Sequence, residues 1–387
     1  MSKKPPECMK RHPRMRIAVD GRHLTSQTPS GVGRATMSLL CALCHVLEAE
    51  DTVEITTVGS KDAEKTAASF IRTLPRNVLH THWHIPNRLV HASILAMHSP
   101  RFENLCQKRP DIIWLPNLHF FSTRCPYVLS VHDLSFFLNP LWFTKRSRLW
   151  HQWVQPRHLI EYAAHIVAPS ETTTQDILHF FGKDTDQITT IPHPMDPAFS
   201  EKRQPQDDGI RSKYRLPKKF LLHVGTWEPR KNIDGLLAAL SAEQMPIVFV
   251  GSRGNAKSVP ESARPLVRVL NYVPQEDLPS IYRSATALIF PSFYEGYGLP
   301  IVEAFASGTP VVTSAHSATR EVAGDAAILI DPRRPNEIAT AIHTIVNNNP
   351  LRRGLIASGL KRAHTLSRNH SGRALYQALK ASATQNS

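Results

Sequence analysis

The sequence of 387 residues lacks any run of about 18 apolar residues, the length that a membrane-spanning helix requires. Its basic beginning, MSKKPPECMKRHPRMR, is not followed by the apolar segment of a secretory signal. The 5 cysteines are an odd number in a long chain, which favours free thiols in a reducing compartment over a disulfide framework. These absences predict a cytoplasmic protein.

Several cofactor signatures are also missing. No Gly-x-Gly-x-x-Gly follows a strand-like segment, which argues against an NAD-dependent oxidoreductase, and no Walker loop is present. No second Cys-x-x-Cys completes a zinc site. Cys41, Cys44 and His45 match the spacing of haem attachment, but they lie in an apolar run at helical spacing, where cysteine packs as a small hydrophobe. The motifs therefore predict no haem, no NAD and no cysteine-bound zinc.

Acidic residues are the scarcer charge, with 32 Asp and Glu against 46 Lys and Arg, a formal net charge of +14. This balance favours anionic partners such as nucleotides, diphosphates, nucleic acid or an anionic membrane face. The chain has no RNP-type or helix-turn-helix signal, so nucleic acid is not expected as a partner.

Apolar strand-like segments alternate with helical patterns in both halves of the chain. In the first half these segments are residues 15–22, 53–59, 111–117, 127–134, 165–170 and 188–196. After a polar stretch at 197–216, interpreted as a linker, the alternation begins again. This order predicts an α/β protein of two Rossmann-like domains, whose parallel sheets face a central cleft. We predict domains at 14–200 and 201–365, and a final helix at 366–387 that is free to pack back on the first domain.

Ligands of open parallel sheets bind beyond the carboxyl ends of the strands, so polar residues after strands are the site candidates. GTWEPRKNID follows a strand, with Arg230 and Lys231 five and six residues beyond Gly225. Two cations before a helix suit a diphosphate. A solvated basic turn would have the same sequence.

Two weaker candidates lie in the first half. PSGVGR brings Gly31 and Gly33 to a helix start, where backbone amides can approach a phosphate, although a tight turn would look the same. SVHDLSFF places His132 and Asp133 at a strand end, as a reactive pair or as a hydrogen-bonded loop.

The segment FPSFYEGYGLPIVEAFASGTPVVTS carries two glutamates around a glycine-rich loop. Pro300 suits the first turn of a helix, so we place Glu295 in the loop, Glu303 in the first helical turn and Gly308 just after the helix. Carboxylates and exposed amides together suit a ligand with hydroxyls and phosphates, such as a nucleotide sugar. For Glu303 alone, a favourable interaction with the helix dipole is the alternative.

Taken together, these motifs resemble retaining glycosyltransferases of the GT-B fold, in particular family 4. EGYGLPIVEA is similar to that family's E-x7-E motif and GTWEPRKN to its donor-phosphate signature, while GVGR, HDLSFF and IPHPMD occur in the family's order. The resemblance extends over about residues 15–375. Three departures are Tyr297 in place of Phe, Trp227 in place of an aliphatic residue, and IPHPMD, which lacks the usual glycine.

The resemblance implies roles for individual residues. Arg230 and Lys231 would neutralise the leaving diphosphate, Glu303 would hold the ribose, and His132 would lie over the donor sugar. Glu295 would hold hydroxyls of that sugar together with the amides of Gly296, Tyr297, Gly298 and Leu299. Amides of Gly31 and Gly33, with help from Arg34, would approach the phosphates, and Gly225 would belong to the phosphate loop.

The resemblance further implies a retaining, metal-independent enzyme that uses a GDP- or UDP-sugar. The expected sugar is mannose, and the expected acceptor is a glycan or lipid-linked glycan of polysaccharide or lipopolysaccharide biosynthesis. The basic charge would let the first domain contact an anionic membrane. The alternatives are a nucleotide-sugar epimerase on the same fold and a non-catalytic scaffold that binds a nucleotide sugar.

Overall fold

The structure, a computed structural model, describes residues 14–75, 77–240, 245–252, 259–365 and 368–384. The basic segment 1–13 and the last residues of the predicted final helix lie outside these ranges. Among the helices of these ranges, none combines the length and the apolar composition that crossing a bilayer requires.

The first half of the chain forms a parallel sheet of seven strands, in the order β3-β2-β1-β4-β5-β6-β7. Alternate residues of its strands enter two separate cores: Ala18 points into one, while Ile17 and Val19 point into the other. Both faces are therefore covered, as a parallel sheet requires. The strands are β1 Arg16–Asp20, β2 Thr52–Val58, β3 Val78–Trp83, β4 Ile112–Leu115, β5 Tyr127–Ser130, β6 His165–Ala168 and β7 Ile188–Thr190.

The second half forms a parallel sheet of six strands, in the order β10-β9-β8-β11-β12-β13. It is covered on both faces in the same way, because Leu288 and Phe290 enter one core and Ala287 and Ile289 the other. The strands are β8 Leu221–Val224, β9 Ile247–Val250, β10 Val267–Val269, β11 Ala287–Phe290, β12 Val311–Ser314 and β13 Ala327–Ile330.

Helices connect the strands and cover the sheets. Those of the first half are α1 Gly31–Cys44, α2 Lys61–Ile71, α3 Asn87–Met97, α4 Ser135–Leu138, α5 Lys145–Val154, α6 Pro156–Glu161 and α7 Glu171–Phe181. Those of the second half are α8 Asp207–Lys213, α9 Ile233–Ala239, α10 Leu278–Ser284, α11 Leu299–Ala306, α12 Ser317–Ala323, α13 Pro335–Asn347, α14 Asn349–His364 and α15 Arg368–Thr384.

The last helix, α15, packs on the first domain. Its Leu375 and Leu379 are fully buried in the same core as β1. The hydroxyl of Tyr376 donates to Asp51 at 2.6 Å. Gly372 allows the close approach to α1, since a Cβ there would overlap the carbonyl of Ala42. The chain thus crosses back from the second domain to complete the first.

The predicted fold class, two parallel-sheet Rossmann-like domains, is confirmed. The sequence reading missed β3, since VLHTHW is a half-exposed edge strand and lacks the apolar character of the other strands. The helix read at 232–242 is observed as Ile233–Ala239, with residues 241 and 242 outside the described ranges. The stretch read as a linker contains α8, which belongs to the second domain because buried Asp207 pairs with Arg283 at 2.6 Å.

Candidate active site

The two sheets direct the loops after their strands at each other, and these loops meet in the cleft. The carbonyl oxygen of Gly296, after β11, accepts hydrogen bonds from Ser170 at 2.7 Å and Thr173 at 3.2 Å, both after β6. Gly296 also lies directly against the backbone of His132, after β5, and a Cβ at Gly296 would overlap the carbonyl oxygen of that histidine. Only glycine therefore permits this closeness of the two domains.

Arg230 and Lys231 lie on a short 3-10 turn, Pro229–Lys231, that follows β8. The turn is held by Asn232, whose side-chain amide donates to the carbonyls of Pro291 at 3.2 Å and Pro332 at 2.6 Å. Asn232 has a φ of +55°, a left-handed conformation that asparagine tolerates. The Asn232 side chain thereby fixes the backbone of the turn that carries both cations.

The carboxylate of Glu295 binds both cations. Arg230 Nη1 donates to Glu295 Oε2 at 2.8 Å, and Lys231 Nζ to Oε1 at 2.6 Å. The exposed fractions of the side chains are 13% for Arg230, 12% for Lys231 and 8% for Glu295. Gly225, at a φ of +153°, lies under the Lys231 stem, since a Cβ there would be 3.5 Å from Lys231 Cε. Four of the sequence-predicted residues of this domain, Gly225, Arg230, Lys231 and Glu295, thus form one buried cluster at the end of the sheet.

The electrostatics of this cluster are those of a tightly coupled ionic site. Burial alone would raise the pKa of Glu295, but the charges of Arg230 and Lys231 outweigh it and lower that pKa to about 2. Burial would lower the pKa of Arg230, but Glu295 and then Asp133 raise it. For Lys231, burial and the neighbouring Arg230 lower the pKa despite the attraction of Glu295. The charge of Asp133, which follows β5 in the opposite domain, therefore acts on Arg230.

The loop after Glu295 leads into α11. Gly298 is the residue before the helix and has a φ of +109°, which favours glycine. The hydroxyl of Tyr297 lies 3.4 Å from the carbonyl of His193, and the two rings meet edge to face. Leu299 is the first residue of α11 and packs beside the core of the second domain. The backbone of this loop is therefore held by contacts on both sides of the cleft.

Glu303 is buried, but not where the sequence reading placed it. Since α11 begins at Leu299, Glu303 lies in the second helical turn and not in the first. Its Oε2 accepts from the Tyr282 hydroxyl at 2.7 Å, and its Oε1 accepts from Arg34 Nη1 of the first domain at 2.5 Å. The dipole explanation for Glu303 loses its basis, because that effect is confined to the first turn. The carboxylate instead joins the two domains.

The first turn of α1 contributes Arg34 to the site. Gly31 is the first helical residue and is exposed, while the Gly33 amide donates to the capping Ser30 hydroxyl at 3.2 Å. Arg34 lines a cavity between the domains together with Ser38, Asp196, Gln275 and Glu303. Of the GVGR motif, the structure thus brings the arginine to Glu303 and uses the Gly33 amide within the helix cap.

His132 is held as a neutral imidazole. Its Nε2 donates to the carbonyl of Pro116 at 2.8 Å, and its Nδ1 lies 3.4 Å from Nε2 of His193. Burial lowers the pKa of His132 to about 4, even though the Pro116 contact opposes this shift. Burial and the neighbouring His132 also lower the pKa of His193. At neutral pH His132 therefore offers a lone pair at Nδ1 and no positive charge.

Sequence reasoning missed several residues of the cleft. Ser170 was no site candidate, yet its hydroxyl both caps α7 and binds the loop of the other domain. Tyr282 in α10 and Gln275 before that helix, which contact Glu303 and Arg34, gave no signal, because the segment QEDLPSIYRSA reads as an ordinary helix. His193 was visible only as part of the motif IPHPMD. The position of Ser170 directly after a strand was the one signal that could have been used.

Known proteins share both the sequence and the fold. Residues 29–199 match the family described as Glycosyltransferase Family 4, and residues 207–362 match Glycosyl transferases group 1. The O-antigen chain mannosyltransferase B of Escherichia coli is 32% identical over 265 residues, which cover 65% of this chain and 69% of that protein. A D-inositol 3-phosphate glycosyltransferase of Corynebacterium glutamicum (strain R) is 25% identical over 233 residues, covering 54% of this chain and 56% of that protein.

Among solved structures, HepE of Anabaena in complex with UDP and glucose has a TM-score of 0.71 at 16% identity, covering 95% of this chain and 100% of that one. A likeness at this identity shows the fold. The chain belongs to glycosyltransferase family 4 of the group 1 glycosyl transferases, with the GT-B arrangement of two Rossmann-like domains. It is a hexosyltransferase, and the resemblance inferred from its motifs is confirmed.

Proposed function

We propose that the enzyme transfers mannose, with retention of configuration, from a GDP- or UDP-linked donor to a glycan or lipid-linked glycan. The sugar and the pathway, lipopolysaccharide O-antigen synthesis, are suggested by the name of the Escherichia coli relative. A nucleoside-diphosphate donor is suggested by the UDP bound in the Anabaena structure. The single observation that carries the proposal is the buried Arg230–Lys231–Glu295 cluster at the mouth of the second sheet.

This cluster suits the departure of a diphosphate. Sugar transfer develops negative charge on the leaving group, and cations already in place stabilise that charge without reorganisation. Arg230 and Lys231 are held by Glu295 on one side and by the 3-10 turn on the other. Because two cations held at this position supply the required charge, we propose that transfer does not need a metal ion.

The binding of Glu295 to both cations defines its part in the reaction. With one oxygen on each cation, the carboxylate positions them, and its remaining lone pairs are free to accept from hydroxyls of the donor sugar. The amide of Glu295 donates to Ser317 at 3.1 Å, which fixes the start of the loop. The amides of Gly296 to Leu299 would complete the sugar site.

Glu303 and Arg34 would exchange partners when the donor binds. Glu303 is the carboxylate assigned to the ribose, and in the structure one of its oxygens holds Arg34. Ribose hydroxyls that reach this oxygen would displace the guanidinium into the cavity that Arg34 already lines. A released arginine beside the donor would then add a bidentate contact to its phosphates.

A neutral His132 is compatible with the positive charge that develops on the sugar during transfer. The oxocarbenium-like transition state carries positive charge on the sugar ring, which a protonated imidazole would oppose. The lowered pKa of His132 keeps the ring neutral at pH 7, and Nδ1 would accept from the donor sugar in place of its 3.4 Å contact with His193. We propose that it orients the donor sugar from the first domain, while closure of the domains excludes water.

The acceptor side would lie at an anionic membrane. Around α5 the first domain exposes the large apolar side chains Leu141, Leu149 and Trp153, at 78%, 44% and 50%. Lys145 and Arg146, on the same helix, are also exposed. Apolar side chains beside exposed cations suit a surface that inserts shallowly among anionic lipids. A lipid-linked acceptor would be presented at such a surface.

The role of the cations is tested with Arg230→Ala and Lys231→Ala, each assayed for sugar transfer from GDP-mannose and from UDP-glucose. We expect a loss of about 10²-fold or more in transfer, because each change removes one donor from the developing charge. The control is Arg203→Ala, since Arg203 forms an exposed ion pair with Asp208 at 2.6 Å. Undiminished transfer by folded Arg230→Ala and Lys231→Ala proteins would refute the proposal.

Product analysis separates transfer from the two alternatives. An epimerase would convert the nucleotide sugar in the absence of acceptor, whereas a transferase needs an acceptor for its product. A scaffold would bind the donor without converting it. A thermal-shift screen with GDP-, UDP- and ADP-sugars identifies the nucleotide first, because a ligand of the native state raises its stability.

Flotation with liposomes tests the membrane surface. We expect co-flotation with vesicles of anionic lipid and a clear reduction for Arg146→Glu. Arg353→Glu, an exposed position on α14 of the second domain, is the charge-matched control. Equal flotation with neutral and anionic vesicles would contradict the proposed contact.

A further inference from the structure

Histidines gather at the outer edge of the first sheet, far along the strand order from the loops of β5 and β6 that form the cleft. The edge strand β3 carries His80 and His82 two residues apart, so both side chains lie on one face, and His84 follows the strand end. Glu64 faces them from α2. None of these residues belongs to the site described above.

Three of these side chains have the spacing of metal ligands. One ligand atom from each of Glu64, His82 and His84 lies within 4.8 Å of the others, and no other such group of three occurs in the described ranges. His84 Nε2 is 3.6 Å from Glu64 Oε2, and the rings of His82 and His84 are 4.8 Å apart. Ligands of tetrahedral zinc are separated by roughly 3.5 Å, as follows from bonds of about 2.1 Å. Small rotations of these three side chains would therefore bring their ligand atoms to the separations that a bound ion requires.

A hydroxyl behind the group fixes the orientation of one ligand. Thr57 Oγ1 lies 2.7 Å from Nδ1 of His82 and 2.8 Å from Nε2 of His80. Two proton arrangements satisfy both contacts, and metal binding selects the one in which His82 Nδ1–H donates to Thr57 and the Thr57 hydroxyl donates to His80. In that arrangement His82 Nε2 is unprotonated, which is the form that binds a metal ion, and its 3.3 Å contact with the carbonyl of Gly59 is replaced by the bond to the ion.

We propose that Glu64, His82 and His84 bind a divalent transition-metal ion, with zinc as the expected ion. Two imidazole nitrogens and one carboxylate favour zinc over magnesium or calcium, which prefer all-oxygen sites. Solvent completes the coordination, since the side chains of His84 and Glu64 are 53% and 41% exposed. The site is structural: it ties α2 to a strand that has a sheet partner on one side only. It is independent of sugar transfer and of the proposed metal-independent mechanism.

Zinc binding is measured on the full chain, produced without a polyhistidine tag and stripped with a chelator. Equilibrium dialysis is expected to give one tightly held zinc ion, and thermal unfolding is expected to shift upward with ZnCl₂ but not with MgCl₂. His84→Ala and Glu64→Gln should each weaken zinc binding by about tenfold or more, since each removes a ligand of an open site. Cobalt(II) should give visible absorption bands with the wild type that His84→Ala lacks.

Two controls separate ligation from general effects. Asp62→Asn removes a charge from an exposed side chain of the same helix, and His343→Ala removes an exposed histidine from the second domain. Both should keep wild-type zinc affinity. Absence of tight zinc binding by the wild type, or equal affinity in His84→Ala and Glu64→Gln, would overturn the proposal. Sugar transfer by His84→Ala should equal that of the wild type.

Discussion

The two buried glutamates of the cleft, Glu295 and Glu303, are equally hidden from solvent, with 8% of each side chain exposed, but their partners differ. Glu295 binds two cations of its own domain, and neither contact depends on the position of the other domain. Glu303 binds Tyr282 of its own domain and Arg34 of the other. Glu295 thus belongs to a preorganised site, whereas the contact of Glu303 with Arg34 depends on closure of the two domains.

The difference teaches that burial alone does not define a role. Glu295 must stay ionised to hold two buried cations in place, which is a requirement of the resting protein as much as of catalysis. Glu303 has a partner that a ligand can replace, because Arg34 lies at the edge of a cavity. Substitutions of Glu295 and of Glu303 should therefore have different effects on stability, transfer and ligand binding.

The largest effect is expected for Glu295→Gln. Loss of the carboxylate leaves Arg230 and Lys231 buried without their counter-ion, which costs about 3–5 kcal/mol of unfolding free energy. Transfer should fall by about 10²-fold or more, because the cations lose their fixed positions. Urea denaturation and initial rates measure the two effects.

Glu337→Gln is the control for Glu295→Gln, since Glu337 pairs with exposed Arg334 at 3.1 Å. A surface pair of this kind contributes less than about 1 kcal/mol. If Glu295→Gln lowered the free energy of unfolding no more than Glu337→Gln does, the cluster would not be a preorganised site.

Gly296→Ala should act on domain closure. Its Cβ would overlap the carbonyl of His132, so the loop of the second domain must move away from the first domain. We expect a cost of about 1–3 kcal/mol, as for other overpacked positions, with a large fall in transfer. In Gly354→Ala, on α14, the added Cβ has no atom within 4 Å, and that control should be neutral or slightly stabilising. Wild-type transfer by Gly296→Ala would show that this contact is not needed.

A double-mutant cycle of Arg34→Ala and Glu303→Gln measures the contact between the domains. Their side chains meet at 2.5 Å, so the unfolding free energies should show a coupling of about 0.5–3 kcal/mol. Arg34→Ala should also bind nucleoside diphosphate a few-fold more weakly, because it lacks the guanidinium that is released to contact the donor phosphates. Glu303→Gln should bind it more weakly. Additive stability effects with unchanged binding in both variants would remove Glu303 from the donor site.

The sequence was informative where the chemistry is local. The strands of the second domain are short apolar segments between turns, so their pattern predicts a parallel sheet. Arg230, Lys231 and Gly225 share one strand-to-helix loop, and their closeness follows from that loop alone. The edge strand β3 was not predicted, because its half-exposed histidines interrupt the apolar pattern of a strand.

The sequence could not predict contacts between distant elements. Arg34 meets Glu303 across 269 positions, and Ser170 meets Gly296 across 126. Such pairs depend on how two domains are placed, which neither periodicity nor turn residues encode. The error over Glu303 had a smaller cause, since a proline near a helix start fixes that start only to within a residue or two.

The smallest effect is the pH dependence of stability. Glu295 and the cleft histidine His132 contribute to it over two different pH ranges. Glu295, with a pKa lowered to about 2 from 4.5, contributes stability that is complete above pH 4.5 and is lost as the pH falls towards 2. His132 has a pKa lowered from 6.5 to about 4, so the unfolded chain binds more protons between these values. Stability therefore rises with pH from about 4 to 6.5, and His132→Gln should reduce that slope by about one proton. Urea midpoints at pH 7.5, 6 and 5 measure it. Glu295→Gln should leave the slope above pH 5 unchanged, and an unaltered slope in His132→Gln would show that this imidazole is not held neutral by the fold.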